Sequence, residues 1–237
     1  MKIIKPAATI MLAREKDKEL EVLLLKRNKA LAFAAGLWVF PGGKIEPEEK
    51  EQGADDLAAA KLAAVRETME EANIAIGTEK LLFFSHWTTP EIEPRRYATW
   101  FFFGDVTGQN LEVKVDDSEI KKHLWINPQQ ALDKVKIGDL AMMPPTYISL
   151  QLIRKCTTIA QAKAKLTEEN PIYILPVLRL IDRKMICIYK GDAGYTTGDP
   201  NTIGPRHRLI ANMANGDFEF IFQDCEDIIP VNLNMHL

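Results

Sequence analysis

Glu67, Glu70 and Glu71 are the residues of this 237-residue chain whose types and spacing best fit a chemical role. Spacings of three and four residues place their carboxylates on one face of an α-helix, within one turn. Like charges so arranged destabilise a bare helix by about 0.2–0.5 kcal/mol per pair. Two interpretations stay open: a solvent-exposed acidic face, or a site for a hard divalent cation such as Mg²⁺, which takes oxygen ligands and substrate phosphates.

The sequence around these glutamates predicts the helix that positions them. The Ala-rich run from Leu57 to Ala72 has strong helix propensity, and Asp55 or Asp56 is a suitable N-cap. Asn73 tolerates the left-handed backbone with which many helices end. A helix over this run is therefore expected to present all three carboxylates together.

The segments before the helix predict a strand, a tight turn and a loop. Leu37–Phe40 is a short apolar run, which Pro41-Gly42-Gly43 should stop. The acidic stretch 44–56 has no apolar periodicity and is predicted to be a loop. The glycine turn is therefore expected close to the start of the acidic helix.

Apolar runs elsewhere predict an α/β layered core over the first 150 residues, because strands and helices alternate there. The charged stretch at 14–19 is interpreted as a solvated turn between two buried strands. Further strands and helices follow from the same patterns. Predicted strands cover 7–13, 21–26, 81–87, 97–106 and 123–126, and predicted helices cover 128–135 and 145–169.

The pattern changes near Asn170-Pro171, after which strand-like pieces alternate with Gly- and Asp-rich turns. We divide the chain into a core domain at 1–170 and a β-rich C-terminal extension at 171–237. The extension is expected to pack on the core, because so few residues form only a marginal core alone.

Composition excludes several functional classes. The 30 Lys and Arg against 33 Asp and Glu give a formal net charge of −3, which offers no electrostatic attraction for nucleic acid. An uninterrupted apolar run of about 20 residues, as a membrane span requires, is missing from the sequence. The three cysteines are far apart and without metal-ligand spacing, so reduced thiols and a cytoplasmic location are expected.

The motif that extends from the glycine turn to the helix resembles a known family signature. FPGG at 40–43 and RETMEEANI at 66–74 resemble the Nudix box, G-x5-E-x7-R-E-U-x-E-E-x-G-U, where U is aliphatic. Thr68 stands at an aliphatic position and Asn73 at the second glycine. Gly43 and Arg66 are nine residues further apart than in the pattern. The first glutamate of the box is therefore Glu49 when counted forward and Ala58 when counted back.

The resemblance implies a Nudix hydrolase with an α/β/α sandwich around a mixed sheet, often dimeric, that cleaves a nucleoside diphosphate linked to another group. It further implies Mg²⁺ or Mn²⁺ as cofactor, and it implies that Arg66 pairs with box carboxylates and holds the loops on the helix. The general base is either Glu67 or a glutamate outside the box. Our candidate outside the box is Glu119, whose alternative interpretation is a simple turn carboxylate. The implied metal ligands are Glu67, Glu70, Glu71 and the Gly43 carbonyl.

A second resemblance concerns the substrate. Segment 23–43 is similar to the signature LLTKR-S/A-x3-R-x3-G-x3-FPGG of coenzyme A diphosphatases, with Lys26, Arg27 and Gly36 at matching spacings and Ala32 replacing its second Arg. With the split box, residues 7–155 resemble the peroxisomal branch and its bacterial relatives. This implies that Lys26 and Arg27 bind substrate and that coenzyme A or acyl-coenzyme A is cleaved.

Other cationic and aromatic residues leave alternatives open. Arg95 and Arg96 precede an aromatic strand, so they either bind phosphate or a ring, or form a surface pair. The basic stretch 204–208 is either a phosphate grip or, more simply, a solvated turn. Trp87 and Trp100 are interpreted as core residues.

Rival functions are hydrolysis of nucleotide sugars, NADH or dinucleoside polyphosphates, and, in another class, ligand sensing without catalysis on a Nudix fold. The three intact glutamates of the predicted helix argue against the sensor, in which degraded carboxylates are expected.

Overall fold

The computed structural model describes residues 3–31, 34–115, 117–168, 171–212 and 218–225. Within these ranges the chain forms a large mixed sheet, a smaller antiparallel sheet and five α-helices. The predicted α/β class with a β-rich C-terminal region is therefore confirmed. Ala32 and the predicted boundary residue Asn170 lie outside the described residues.

The large sheet has the strand order β3-β2-β1-β6-β5-β8, with β4 added on β1 and β7 on β2. The β1–β6 and β5–β8 pairs are parallel, and the other pairs are antiparallel. Its strands are β1 (Ile4–Lys16), β2 (Glu19–Arg27), β3 (Trp38–Val39), β4 (Gly42–Lys44), β5 (Leu81–Thr88), β6 (Arg96–Asp105), β7 (Ile120–Ile126) and β8 (Ile172–Ile174).

The turn between β1 and β2 is shorter than the charged stretch predicted. Both strands continue through the charged residues, and only Asp17 and Lys18 form the turn, with φ of 52° and 68°. Two consecutive residues with positive φ are typical of the type I′ hairpin turn, whose twist matches that of the strands. The charged residues at 14–19 therefore lie at the exposed end of the hairpin, but most of them belong to the strands and not to the turn.

The five helices are α1 (Pro47–Gln52), α2 (Asp56–Ala72), α3 (Pro128–Lys136), α4 (Pro144–Ile153) and α5 (Ile159–Thr167). Helix α1 lies inside the stretch 44–56, so the prediction of a loop there was wrong. A capping box explains the helix: Glu49 accepts a hydrogen bond from the Glu46 N–H, and Pro47 occupies the first turn. So short a helix shows no apolar periodicity.

The prediction of one helix at 145–169 was also wrong. The chain leaves the helix after Ile153 and enters α5 at Ile159. The Thr158 side chain accepts a hydrogen bond from the Gln161 N–H and so caps the second helix. Both helices bury apolar residues, which is why the sequence pattern looks continuous. Residue 169 lies outside the described residues.

Helices cover the two faces of the large sheet. On one face, which we call the α2 face, Ala60 and Ala64 of α2 pack among Ile10 and Phe102 of the sheet. The small alanines let the helix approach the strands closely. On the opposite face α3, α4 and α5 pack against residues such as Met11. The described helices are too short or too polar to span a bilayer.

The smaller sheet shares the core of the second face. It has the order β12-β11-β10-β9, all antiparallel, from β9 (Val177–Ile181), β10 (Lys184–Ile188), β11 (Arg206–Asn212) and β12 (Phe218–Gln223). Its Leu178 and Leu209 belong to the same buried cluster as Met11. Strand β8 pairs with β5 in the large sheet, and the small sheet begins at Val177.

Candidate active site

Helix α2 has the two ends that its sequence predicts. The Asp55 side chain accepts a hydrogen bond from the Ala58 N–H at 2.7 Å, which caps the first turn. At the other end Asn73 has φ of 56°, in the left-handed region, and its N–H donates to the Met69 carbonyl. Glu67 and Glu71 are thus held in a regular helix that packs on the sheet.

The glycine turn contacts the carboxylates of this helix directly. The Gly42 N–H donates a hydrogen bond of 2.9 Å to Glu71 Oε2. A Cβ atom at Gly43 would lie 2.2 Å from Glu67 Oε1, so any side chain there would displace the carboxylate. Only glycine lets the Glu67 carboxylate lie against the β4 backbone. Thr9 of β1 stabilises the turn, because its hydroxyl donates a hydrogen bond of 2.6 Å to the Pro41 carbonyl.

Arg66 links three carboxylates and one backbone carbonyl. Its Nε donates to Glu49 Oε1 at 2.7 Å, and its Nη1 donates to Glu67 and Glu70, each at 2.9 Å. Its Nη2 donates to the Lys44 carbonyl at 3.0 Å. Burial lowers the pKa of Arg66, but the hydrogen bond to Glu49 and the charge of Glu67 outweigh burial and raise it above its ordinary value. The guanidinium therefore stays charged.

Glu49 occupies the position of the first glutamate of the box, which the residue count assigned to either Glu49 or Ala58. It is buried, and its carboxylate is shared between Arg66 and the N-terminus of α1. Ala58 lies in the first turn of α2, where its N–H is capped by Asp55. The forward count from Gly43 thus identifies the glutamate that pairs with Arg66. The nine extra residues enter the box after Glu49, where α1 ends and α2 begins.

Arg27 forms a second link, between Glu71 and Glu119. Its guanidinium lies 3.6 Å from Glu71 Oε1 and 3.3 Å from Glu119 Oε2. Burial raises the pKa of Glu71 to about 8, although the Gly42 hydrogen bond acts in the opposite direction. Arg27 Nε is buried without a hydrogen-bond partner among the described residues. The structure thus places Glu119, a predicted base, in the same cluster as the helical glutamates.

The cluster is chemically suited to a hard divalent cation. It holds more carboxylates than guanidiniums, and its oxygens are the ligands that Mg²⁺ and Mn²⁺ prefer. Burial raises the pKa of Glu67 and outweighs the charge and hydrogen bond of Arg66, which act in the opposite direction. In the part of the chain that the structure describes, the acidic, His and Cys side chains form no ready-made ligand group of three or more. Water and phosphate oxygens would complete the coordination, as is usual for Mg²⁺.

The other predicted substrate residues lie apart from this cluster. Lys26 alternates with Arg27 along β2 and stands over the Trp38 ring, 5.6 Å from its centroid. Arg95 is exposed in the connection between β5 and β6. Arg96 is buried at the start of β6, where its Nε donates to the Thr89 carbonyl at 3.0 Å. Of the four cationic candidates, the structure brings only Arg27 to the carboxylates.

The basic stretch 204–208 is neither a phosphate grip nor a solvated turn, so both interpretations were wrong. Arg208 is buried and forms two hydrogen bonds with Asp192, at 2.7 and 2.6 Å. His207 is also buried, and Arg206 donates to the Thr202 carbonyl. Asp192 lies 16 residues upstream of Arg208, so residue spacing could not predict this pairing. These cations hold the loop after β10 against β11.

Comparisons with known proteins identify the family and the fold. The family model of the NUDIX domain matches residues 4–144. A Caenorhabditis elegans protein named "Putative nudix hydrolase 7" is 23% identical over 249 residues, covering 90% of this chain and 81% of that protein. A NUDIX hydrolase structure from Alicyclobacillus acidocaldarius has a TM-score of 0.61 at 24% identity, covering 69% of this chain and 97% of its own. The NUDIX domain of Shewanella oneidensis NrtR, solved with ADP ribose, has a TM-score of 0.50 at 14% identity, covering 65% and 89%.

Proposed function

From the premise that this chain belongs to the NUDIX domain family, hydrolases of pyrophosphate bonds that generally use divalent metal ions, we propose that it cleaves the diphosphate linkage of a nucleoside diphosphate derivative. One observation supports the proposal above the others. The Glu67 carboxylate lies against Gly43, in a cluster that Arg66 connects to Glu70 and Glu49. Helix and glycine turn are thereby joined into one acidic site.

We assign the cation-binding role to Glu67, Glu70, Glu71 and the Gly43 carbonyl. A divalent cation held there would neutralise phosphate charge and lower the pKa of an attacking water. Arg66 positions the helix against the turn through Glu49 and the Lys44 carbonyl. Arg27 similarly fixes Glu71 and Glu119. These contacts limit the reorganisation that substrate binding requires.

Hydrolysis forms one P–O bond to the attacking water and breaks the bridging P–O bond of the diphosphate. The water must lose a proton, for which the site offers Glu67 or Glu119. Glu119 is half-exposed and lies beside Arg27, so it can exchange a proton with solvent. Glu67 lies against the glycine turn and is itself one of the proposed cation ligands. Both assignments predict loss of activity on replacement by Gln, and the pH profile of each variant distinguishes them.

Within this reaction class we propose coenzyme A or acyl-coenzyme A as the substrate, with 3′,5′-ADP and 4′-phosphopantetheine or its acyl form as products. The support is the spaced signature Lys26, Arg27, Gly36 and FPGG at 40–43 together with the split box. The contacts of Lys26 and Arg27 change their proposed roles. Arg27 acts through Glu71 and Glu119, and Lys26 stands over Trp38.

The test is incubation of the purified protein with Mg²⁺ or Mn²⁺ and a substrate panel, followed by mass analysis of the products. The panel contains coenzyme A, acetyl-coenzyme A, ADP-ribose, NADH, a nucleotide sugar and diadenosine tetraphosphate. We expect metal-dependent cleavage at a diphosphate linkage, fastest for the coenzyme A forms. Preference for another member would overturn the coenzyme A proposal alone. Tight binding without cleavage of any member would instead favour a sensing role.

A further inference from the structure

A row of residues crosses the large sheet from the glycine turn to an exposed edge. Gly43 is paired with Ala8, Ala8 with Trp100, Trp100 with His86, and His86 with Tyr173. Paired residues on neighbouring strands project from the same face of a sheet. Since Ala8 belongs to the cluster beneath α2, the whole row lies on the α2 face, the face of the carboxylate site.

A β-bulge adds a fourth ring to this row. The pairing of β5 with β6 shifts between Phe83 and Ser85. In a regular strand Phe83 and His86, three residues apart, would project from opposite faces. The extra residue at the bulge places both on the α2 face, where Phe83 packs 4.8 Å from the Trp100 ring. Bulges commonly redirect side chains beside functional sites.

The rings contact one another in sequence across the strands. The His86 ring centroid lies 5.0 Å from that of Trp100, at 80°, and 5.4 Å from that of Tyr173, at 36°. Trp100 packs at the margin of the α2-face core and is only partly buried, His86 is also partly buried, and Tyr173 is 41% exposed. A sealed core would bury these rings as fully as it buries Trp87, which is 5% exposed.

His86 adds no positive charge to this row at neutral pH. Burial lowers the pKa of His86 to about 4, so its imidazole is neutral. Neutral aromatic faces stack on nucleobases of any sequence. The row thus combines a charged end at Gly43 and Glu67 with an uncharged aromatic end. A nucleoside diphosphate has the same division between its phosphates and its base.

We propose that Trp100, His86 and Tyr173 form the stacking surface for the base of the nucleotide whose phosphates bind at Gly43 and Glu67. This inference rests on the proposed function and specifies which part of the substrate these three rings recognise. Strands in a sheet lie about 4.8 Å apart, so Trp100 is about 10 Å and Tyr173 about 19 Å from Gly43.

The test is equilibrium binding by calorimetry in Mg²⁺, with ADP as the probe that carries a base and inorganic diphosphate as the probe without one. The variants are Tyr173→Ala, Trp100→Leu and the conservative Tyr173→Phe. We expect Tyr173→Ala and Trp100→Leu to weaken ADP binding about fivefold or more, without changing the affinity for inorganic diphosphate. Tyr173→Phe should bind ADP as the native protein does.

Leu180→Ala is the matched control, because Leu180 is a 58% exposed apolar residue of the other sheet. Thermal melting establishes that each variant is folded. Equal binding of ADP and diphosphate by the native protein would overturn the proposal, and so would an equal loss of both in the variants. Because binding is measured without turnover, a failure to hydrolyse the panel would count against the proposed function and not against this surface.

Discussion

Glu49 is the residue that connects the inserted helix to the acidic site. Its two carboxylate oxygens are divided between Arg66 and the Glu46 N–H, and it is only 6% exposed. Removing its charge would leave Arg66 with weaker partners and α1 with a poorer cap. A residue outside α2 thus sets the geometry of the carboxylates on α2.

We expect Glu49→Gln to lower the free energy of unfolding by about 1–3 kcal/mol, the usual effect of a lost buried charged hydrogen bond. The hydrolysis rate should also fall, because the guanidinium that aligns Glu67 and Glu70 loses its anchor. Chemical denaturation and steady-state kinetics measure the two effects. Glu48→Gln, on the exposed side of the same helix, is the control and should change neither.

Glu70→Gln should separate catalysis from stability. The Glu70 side chain is 57% exposed and its pair with Arg66 spans one helical turn, so its loss should change the free energy of unfolding by about 0.5 kcal/mol or less. As a proposed cation ligand, however, it should matter for turnover, and we expect kcat to fall by about 100-fold or more. Glu51→Gln, exposed on α1, should keep native kcat. Native turnover in Glu70→Gln would remove Glu70 from the cation site.

At the level of elements, local sequence determines the ends of α2. Asn73 has a positive φ and its N–H bonds Met69, and the family pattern has glycine at this position. We expect Asn73→Gly to leave stability unchanged within about 0.5 kcal/mol. Asn73→Val should cost about 1–2 kcal/mol, because a β-branched residue is strained there. Thermal and chemical denaturation measure both, and equal stabilities of the two variants would contradict the cap.

The Asp192–Arg208 pair should make the smaller sheet sensitive to acid. Burial acts against the charge of Asp192, but hydrogen bonds from Arg208, Gly194 and His207 outweigh it and lower the pKa of this carboxyl. A lowered pKa contributes stability that is complete above the unfolded value of about 3.9 and is lost as pH falls through the native value.

Asp192→Asn should therefore be less stable than the native protein by about 3–5 kcal/mol near neutral pH. The difference should shrink as the pH falls below about 4. Denaturation of both proteins across that range measures it. Asp182→Asn, on the exposed turn between β9 and β10, is the control and should keep the native profile. A difference that stays constant into acid would show that the charge of Asp192 is not responsible.

Sequence was most informative where a local signal determines the structure. Caps fixed the ends of α2, and Gly42 and Gly43 marked the turn. Sequence patterns did not predict α1, which is too short to show apolar periodicity. They also did not predict the break after Ile153, where two apolar helices are adjacent. These failures share one cause, because apolar spacing cannot register an element shorter than two turns or a break between similar elements.

At the scale of the whole molecule, contacts distant in sequence determine the site. The composition and the Nudix box predicted the fold class and the acidic helix. Neither could predict that Arg27 contacts Glu119, 92 residues away, or that Tyr173 contacts His86. The bulge after Phe83 leaves no signature in the residue types, so the aromatic row was visible only in the structure. Pairing register, which sequence patterns do not contain, brings these groups together.

The most direct test of the central claim is anomalous diffraction from a crystal of this protein soaked in Mn²⁺. We predict a manganese peak bounded by the carboxylates of Glu67, Glu70 and Glu71 and by the Gly43 carbonyl, with Arg66 still bound to Glu49. A peak elsewhere on the molecule, or an empty cluster at saturating Mn²⁺ with these glutamates directed into solvent, would contradict the account.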